Sequence, residues 1–180
     1  MIDPIDCQEQ QKVTAEVARL VDCASERYGQ QFDSIGVNFN LRGKAAGMYR
    51  VKKSRAWLSA YPRFERHIRF NPWLFAKYPD DSWCNTIPHE VAHYIADCRF
   101  GLSNIRPHGN EWQQIMLDFD AEPTVTARYD LTGIPTRQTK KYLYRCGCRE
   151  VQLTSIRHRR VVAGQQQYRC KDCTQMLVVV

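Results

Sequence analysis

The N-terminal region has the hydrophobic pattern of an amphipathic helix. Apolar side chains recur there every three or four positions, at Val13, Val17, Leu20, Val21, Ala24 and Tyr28. This period matches the turn of an α-helix, so the pattern predicts a helix over residues 8–29 with its apolar face towards the core. The period then changes to two, because apolar positions alternate with Gly or Asn over residues 35–41. That alternation predicts a strand buried on one face.

Three further strand-like segments follow, over residues 45–51, 55–60 and 66–70. Short basic or proline-containing sequences separate them, so they predict an antiparallel meander. Asn71 and Pro72 come next, in the order of a helix cap and a first-turn proline. They predict the start of a short helix.

Two more helices are expected between residue 80 and residue 120. The first ends before Gly101, since glycine suits the left-handed position after a helix. Pro88 lies inside it and removes one backbone hydrogen bond, so we expect a kinked helix; a helix capped by Thr86, with Pro88 in its first turn, is the alternative. The second helix has an apolar stripe at Trp112, Ile115, Met116 and Phe119.

The first of these helices contains the sequence H-E-V-A-H. Its two histidines, His89 and His93, are four residues apart and share one helix face, so both can bind a single ion. Glu90 follows the first histidine and can reach a water in an open coordination position. Zinc lowers the pKa of such a water to roughly 7, and a carboxylate can transfer its proton to a leaving amine. This pattern predicts a zinc hydrolase with Glu90 as the catalytic base.

A catalytic zinc site needs a third protein ligand, and His108 is our candidate. It stands at the entry of the second helix, which can pack beside the first and bring His108 towards the other two histidines. Glu111 is the alternative ligand. The connector that follows, residues 121–138, is irregular, and the Tyr129 hydroxyl in it could stabilise an oxyanion if that segment folded over the site.

The C-terminal 44 residues contain a second metal-binding pattern. Cys146 and Cys148 form a C-x-C pair, and Cys170 and Cys173 form a C-x-x-C pair. This spacing predicts a zinc ribbon, in which four thiolates hold one structural zinc ion. The ion stabilises a sheet that is too small to form a hydrophobic core of its own. A disulfide or an iron–sulfur site is the alternative, because C-x-C is tighter than usual. Strands are expected between the pairs, over residues 151–156 and 160–164, and at the apolar end, residues 176–180.

The charges are unevenly distributed around a formal net charge of +7. Residues 42–69 contain nine basic side chains and one acidic one, and residues 137–180 contain ten and two. Aromatic residues interleave with the first block, as in surfaces that bind single-stranded nucleic acid. We favour the other interpretation, a solvated strand face with its rings turned to the core, because alternation on a strand normally directs rings inward and charges outward.

The second basic block surrounds the cysteine pairs. A compact ribbon with this charge is a candidate nucleic-acid surface that would bind mainly phosphate and lose affinity with salt. A basic face that serves solubility alone is the alternative. The candidate residues are Arg145, Arg149, Arg157, Arg159, Arg160, Arg169 and Lys171.

The composition is that of a globular protein, with 180 residues and 43% hydrophobic side chains. The acidic start M-I-D-P-I-D is unlike a secretory signal, and no apolar stretch approaches a membrane span, so we expect a cytoplasmic protein without a membrane partner. Thiols in a reducing compartment favour metal binding over disulfides. We expect an α+β fold with two domains, residues 1–136 and residues 137–180.

The sequences H-E-V-A-H, R-P-H-G-N-E-W, Y-R-C-G-C and Y-R-C-K-D-C occur in that order and resemble the bacterial SprT family, which is related to the eukaryotic Spartan proteases that degrade proteins crosslinked to DNA. The resemblance implies a minimal zincin-like catalytic domain with a small antiparallel sheet, followed by a zinc ribbon. It implies His89, His93 and His108 as zinc ligands and Glu90 as general base. It also implies an edge strand that pairs with extended peptides.

The expected function is therefore that of a zinc metalloprotease with one catalytic and one structural zinc ion. Its expected partners are protein substrates associated with nucleic acid, including proteins crosslinked to DNA, and DNA in single-stranded or junction-like form. The alternative is a non-catalytic zinc-containing regulator that binds DNA or RNA.

Overall fold

The computed structural model describes residues 2–54, 63–125, 128–136 and 140–180. The chain has an α+β fold and divides into two compact units, Met1–Thr136 and Arg137–Val180. The strand predicted over residues 55–60 lies outside the described residues, as do the aromatic side chains of Trp57 and Tyr61 in the first basic block.

The first unit begins with helix α1, Cys7–Tyr28, close to the predicted bounds. The Asp6 carboxylate caps the helix by accepting a hydrogen bond from the N–H of Glu9 at 2.8 Å. Gly29 ends it in the left-handed conformation, with φ of 59°. The predicted apolar face is buried, at Val13, Val17, Leu20, Val21 and Ala24. The helix prediction is confirmed.

A three-stranded sheet follows, with β1 at Gly36–Asn38, β2 at Gly47–Ser54 and β3 at Arg63–Phe70. The strand order is β1-β3-β2, and β2 and β3 are antiparallel as expected. The expectation of a wholly antiparallel sheet is wrong, since β1 is short and runs parallel to β3. Because β2 takes one edge of β3, β1 must occupy the other edge, and the chain between β1 and β2 crosses the end of the sheet.

Helix α2, Pro72–Lys77, starts at the predicted cap. The Asn71 side chain is fully buried, and its Oδ1 accepts hydrogen bonds from the N–H groups of Trp73 and Leu74. Its Nδ2 donates to the carbonyls of Gly43 and Ala45. One amide therefore caps α2 and holds the segment that leads into β2.

The predicted helix around Pro88 is one continuous helical run of three parts. Helix α3, Pro79–Asp81, passes into a π-helical turn, Ser82–Thr86, and then into helix α4, Ile87–Phe100. A π turn is wider than an α turn, which gives the ring of Pro88 room that a regular helix would deny it. Of the two alternatives for this helix, the longer one, with Pro88 inside it, is confirmed. A π turn is found where we expected a kink.

Helix α4 is the centre of the first unit, and it packs against α1, β2, β3 and helix α5, Asn110–Asp118. Its apolar residues are completely buried, at Ile87, Val91, Ala92 and Ile95. The stripe of α5 faces it, with Trp112, Ile115 and Met116 each 1% exposed. The indole N–H of Trp112 donates to the carbonyl of His89 at 3.2 Å, which fixes α5 to α4.

The second unit has strands β4, Lys141–Arg145, β5, Glu150–Thr154, and β6, Val178–Val179, in the antiparallel order β5-β4-β6. Its small core contains Tyr144, Leu153, Cys170 and Leu177. The strand expected over residues 176–180 is confirmed only for Val178–Val179, which form β6. No helix in the described part of the chain has both the length and the apolar character needed to cross a membrane.

The strand predicted over residues 160–164 is wrong, because residues 160–162 form the end of helix α6, Ser155–Val162, and residues 163–164 lie in the turn after it. A helix keeps Val161 half-buried against the core of the unit and leaves Val162 in solvent. Short apolar runs do not distinguish the two structures in sequence.

Candidate metal centres and cleft

Three histidine side chains converge in the first unit. The Nε2 atoms of His89 and His93 are 3.2 Å apart, and the Nε2 of His108 lies 3.1 Å from each of them. Ligands held at about 2.0–2.1 Å from one tetrahedral zinc ion are separated by roughly 3.3 Å. The three ring nitrogens therefore fit a single metal ion. The structure groups His108 with the helical pair, and the Glu111 carboxylate is not among the clustered ligand atoms.

Each histidine is placed by its local backbone. His89 and His93 are one turn apart on the same face of α4. His108 has φ of 57°, a left-handed conformation that turns the chain just before α5 begins. The ring of Trp112 lies against all three imidazoles, with centroid distances of 4.7 Å to His89, 5.6 Å to His93 and 4.7 Å to His108.

Burial keeps the imidazoles neutral. Desolvation is the main cause that lowers the pKa of His89 to about 4, and the repulsion from a positive charge on His108 adds to it. Desolvation and its two neighbours lower the pKa of His93 to about 3, and desolvation lowers that of His108. Neutral imidazole is the form that binds a metal, so the site is ready for one at neutral pH without loss of a proton.

Glu90 lies beside this cluster and is only 6% exposed. Its Oε2 accepts a hydrogen bond of 2.5 Å from the backbone N–H of Tyr49 in β2. Burial raises the pKa of Glu90 to about 8, against the effect of that hydrogen bond. The sequence pattern singled out the carboxylate, but the contact with β2 is 41 residues away in sequence and had no local signal.

A cleft of about 340 Å³ opens over His89 and Glu90. The segment that leads into β2, residues 44–47, forms one side, and Thr124, Val125 and Tyr129 of the connector form part of the lining. The connector thus folds towards the site. The Tyr129 hydroxyl donates a hydrogen bond to the Asp81 carboxylate. Burial and that carboxylate raise the pKa of Tyr129 to about 12, so the phenol keeps its proton.

Four thiols converge in the second unit. The Sγ atoms of Cys146, Cys148, Cys170 and Cys173 all lie within 4.8 Å of one another. Cys148 Sγ is 3.4 Å from that of Cys146 and 3.7 Å from that of Cys170, and all eight cysteines of the chain are free. Backbone N–H groups of Cys173 and Asp172 lower the pKa of Cys170 to about 6. This donor set fits a metal ion that prefers thiolates.

The seven basic residues predicted around the cysteines are all exposed. Arg157, Arg159 and Arg160 lie on helix α6, and Arg149 pairs with Asp172 at 2.9 Å. The side chains of the first basic block are divided in their roles: Arg66 is bound to Asp97 at 2.6 Å, while Lys52 and Lys53 are exposed. Arg55 lies outside the described residues.

Comparison with known proteins agrees with these features. A model of the SprT-like family matches residues 17–140. The chain is 36% identical over 162 residues to Protein SprT of Vibrio parahaemolyticus, which covers 88% of each chain. It is 34% identical to Protein SprT of Pseudomonas fluorescens, covering 89% of this chain and 91% of the relative. For Protein SprT of Escherichia coli the identity is 32%, covering 94% and 93%.

No solved structure shows a significant match to the chain. The family match covers well over half of the sequence, and the relatives align along most of their own length. The chain therefore belongs to the SprT-like family.

Proposed function

We propose that this protein is a zinc-dependent metalloprotease, with a zincin-like catalytic domain in residues 1–136 and a zinc ribbon in residues 137–180. The observation that carries the proposal is the convergence of three Nε2 atoms within 3.1–3.2 Å beside a buried carboxylate in an open cleft. A structural site would more often close its fourth position with another protein ligand.

His89, His93 and His108 hold the catalytic ion in this proposal. A bound zinc ion supplies Lewis-acid polarisation of the peptide carbonyl and lowers the pKa of a bound water to roughly 7. Glu90 takes the proton from the attacking water and gives it to the nitrogen of the leaving amine, so the carboxylate returns to its starting state. Cys146, Cys148, Cys170 and Cys173 hold the second, structural ion.

The substrate class follows from the edge of β2 that faces away from β3, which borders the cleft and has no strand partner among the described residues. An extended peptide can add to such an edge through backbone hydrogen bonds, which depend little on sequence. We therefore expect broad specificity for unfolded or extended protein segments. The seven exposed basic residues around the cysteines support docking on DNA, so that proteins associated with DNA, including crosslinked ones, are the proposed substrates. We expect this activity in the cytoplasm.

The first test is Glu90→Gln, which keeps the side-chain shape and removes the base. Zinc-loaded protein is incubated with and without single-stranded DNA, and cleavage of itself and of a basic DNA-binding protein is followed. We expect DNA-stimulated cleavage that falls by roughly 10²-fold or more in Glu90→Gln, since general base catalysis contributes about that much. Zinc content should be unchanged. Equal turnover by the variant would show that Glu90 is not the base. Absence of cleavage with zinc and DNA bound would favour the alternative function, a non-catalytic regulator that binds nucleic acid.

The nucleic-acid role is tested by neutralising Arg157, Arg159 and Arg160 together. Affinity for single-stranded DNA should fall, and its dependence on salt concentration should become less steep. The matched control neutralises Lys12, Arg19 and Arg106, which are exposed in the first unit and remove the same charge. An equal loss in both variants would mean that net charge alone attracts DNA, without a surface on the ribbon.

A further inference from the structure

The edge of strand β2 that faces away from β3 lies against Glu90. The carbonyl of Ala46 accepts a hydrogen bond from the N–H of Asn71 at 2.8 Å, so the backbone of Ala46 faces β3. Successive residues of a strand direct their N–H and C=O groups to opposite sides. Gly47 and Tyr49 therefore face the open edge, and the Tyr49 N–H meets Glu90 Oε2 at 2.5 Å.

Gly47 lies so close to Glu90 that a side chain would collide with it. A Cβ built on Gly47 would be 2.6 Å from both Cγ and Oε1 of Glu90 and 2.9 Å from Cδ. The backbone of Gly47 is not in the left-handed region, so space and not conformation requires glycine. Gly36 of β1 is different, because a Cβ there would have no neighbour within 4 Å.

Tyr49 ties the strand to α4 at two levels. Its N–H binds Glu90, and its hydroxyl donates to Asp97 Oδ2 at 2.6 Å. Glu90 and Asp97 are seven residues apart, which places them on one face of α4 about two turns apart. Asp97 is 6% exposed and also accepts from Arg66 Nε of β3 at 2.6 Å. The two contacts with Asp97, from the Tyr49 hydroxyl and from Arg66, oppose sliding of the sheet along α4.

We propose that Gly47 and Tyr49 are positioning residues for Glu90: the Tyr49 N–H orients the carboxylate through Oε2, and Gly47 leaves the space that it occupies. The contacts of Tyr49 and Arg66 with Asp97 keep the edge of β2 from shifting along α4, so that the Tyr49 N–H stays opposite Glu90. The catalytic consequence rests on the proposed function, in which Glu90 is the base. The geometric part, that β2 and Glu90 form one fitted unit, is independent of any activity.

The test compares Gly47→Ala with Gly36→Ala, an identical change in the same sheet. We expect Gly47→Ala to keep its zinc, because none of the three histidines is touched, and to lower kcat by roughly 10²-fold, as misplacement of a catalytic group by about 1 Å does. KM should stay within about twofold of the parent, since substrate binding by the rest of the edge is retained. Gly36→Ala should match the parent in kcat, KM and zinc content. Unchanged kcat in zinc-loaded Gly47→Ala would overturn the proposal.

A second measurement needs no activity. Thermal midpoints are compared for Gly47→Ala in the parent and in a Glu90→Ala background, where the atoms that collide have been removed. The destabilisation should be large in the parent and fall to the level of Gly36→Ala in the Glu90→Ala background. A Gly47→Ala protein that fails to fold alone but folds with Glu90→Ala gives the same support. Equal losses in both backgrounds would overturn the fit between Gly47 and Glu90.

The hydrogen bond is tested separately by an amide-to-ester replacement at Tyr49, which removes the N–H and keeps the phenol on Asp97. We expect a fall in kcat with KM and zinc content retained; unchanged kcat would remove the N–H from the positioning role. If the parent protein cleaves nothing but the stability coupling is present, the proposed function fails and the fitted unit stands. If the parent cleaves and Gly47→Ala cleaves equally well, only the positioning proposal fails.

Discussion

Trp112 serves the histidine cluster in two ways. Its ring lies against all three imidazoles, and its N–H holds the carbonyl of His89. The ring thus limits the orientations of the three side chains, and the hydrogen bond fixes the distance between α4 and α5. At the scale of one residue, an apolar position in a helical stripe therefore also prepares a metal site.

Replacement of Trp112 by Phe should weaken zinc binding by roughly 10-fold, the lower end of the loss seen when groups that orient metal ligands are changed. The smaller ring loses the hydrogen bond to His89 and part of the contact with the imidazoles. Zinc affinity is measured by competition with a chromophoric chelator, with Trp83→Phe as control because Trp83 packs against the same core as Trp112 but has no aromatic contact with the imidazoles among the described residues. Parental affinity in Trp112→Phe would show that the imidazoles are positioned without it.

At the scale of elements, α1 and α5 are joined by Asp118. Its carboxylate accepts hydrogen bonds from the Tyr28 hydroxyl at 2.5 Å and from Arg27 at 2.6 Å, and Gln114 donates to it as well. Burial alone would raise the pKa of Asp118, but these donors outweigh it, and the pKa is lowered below its ordinary value of 3.8. The ionised carboxylate therefore stabilises the packing of the two helices.

The stability contributed by Asp118 should depend on pH with a defined sign. Because its pKa is lower in the folded protein, the contribution is complete above the ordinary Asp pKa of about 3.9 and is lost as pH falls through the lower, folded value. We expect Asp118→Ala to unfold at lower urea concentration than the parent at pH 7, with a difference that shrinks below pH of about 4. Both proteins are measured without metal, and Asp22→Ala, an exposed change on α1, is the control. A difference that is constant with pH would contradict this interpretation.

At the scale of the whole molecule, the two units differ in what holds them together. The first has a large buried core centred on α4, whereas the second has a core of Tyr144, Leu153, Cys170 and Leu177. So small a core does not stabilise a domain without a crosslink or a metal ion. Metal binding to the four thiols should therefore decide whether the second unit is folded.

Replacement of Cys170 by Ser should lower the zinc content from about two ions per chain to about one, since structural zinc sites need all four ligands. NMR spectra should then show loss of dispersed signals from the second unit, while signals from the first unit persist. The affinity for DNA should also fall, because the ribbon that carries the candidate DNA-binding residues is unfolded. Cys23→Ser is the control, because Cys23 is exposed on α1 and lies in the other unit. A folded second unit in Cys170→Ser would show that its core suffices.

Patterns along the chain predicted the parts of this protein that depend on near neighbours. The helical spacing of His89 and His93, the face of α1 and the cap at Asn71 are all properties of a few consecutive residues. The predictions failed where a partner distant in sequence was needed. The parallel pairing of β1 and the helix α6 were both missed, because a short apolar pattern does not specify its partner.

The sequence by itself determined which residues of α1 and α4 share a helix face, where α1 and α2 begin, and which side chains are able to bind metal. Only the tertiary structure decided that Trp112 supports the histidines, and that Gly47 and Tyr49 meet Glu90 from a strand 41 residues away in sequence. The physical reason is that periodicity records which side of an element is buried, whereas the packing of elements determines which atoms meet there. The surroundings of Glu90 are of that second kind.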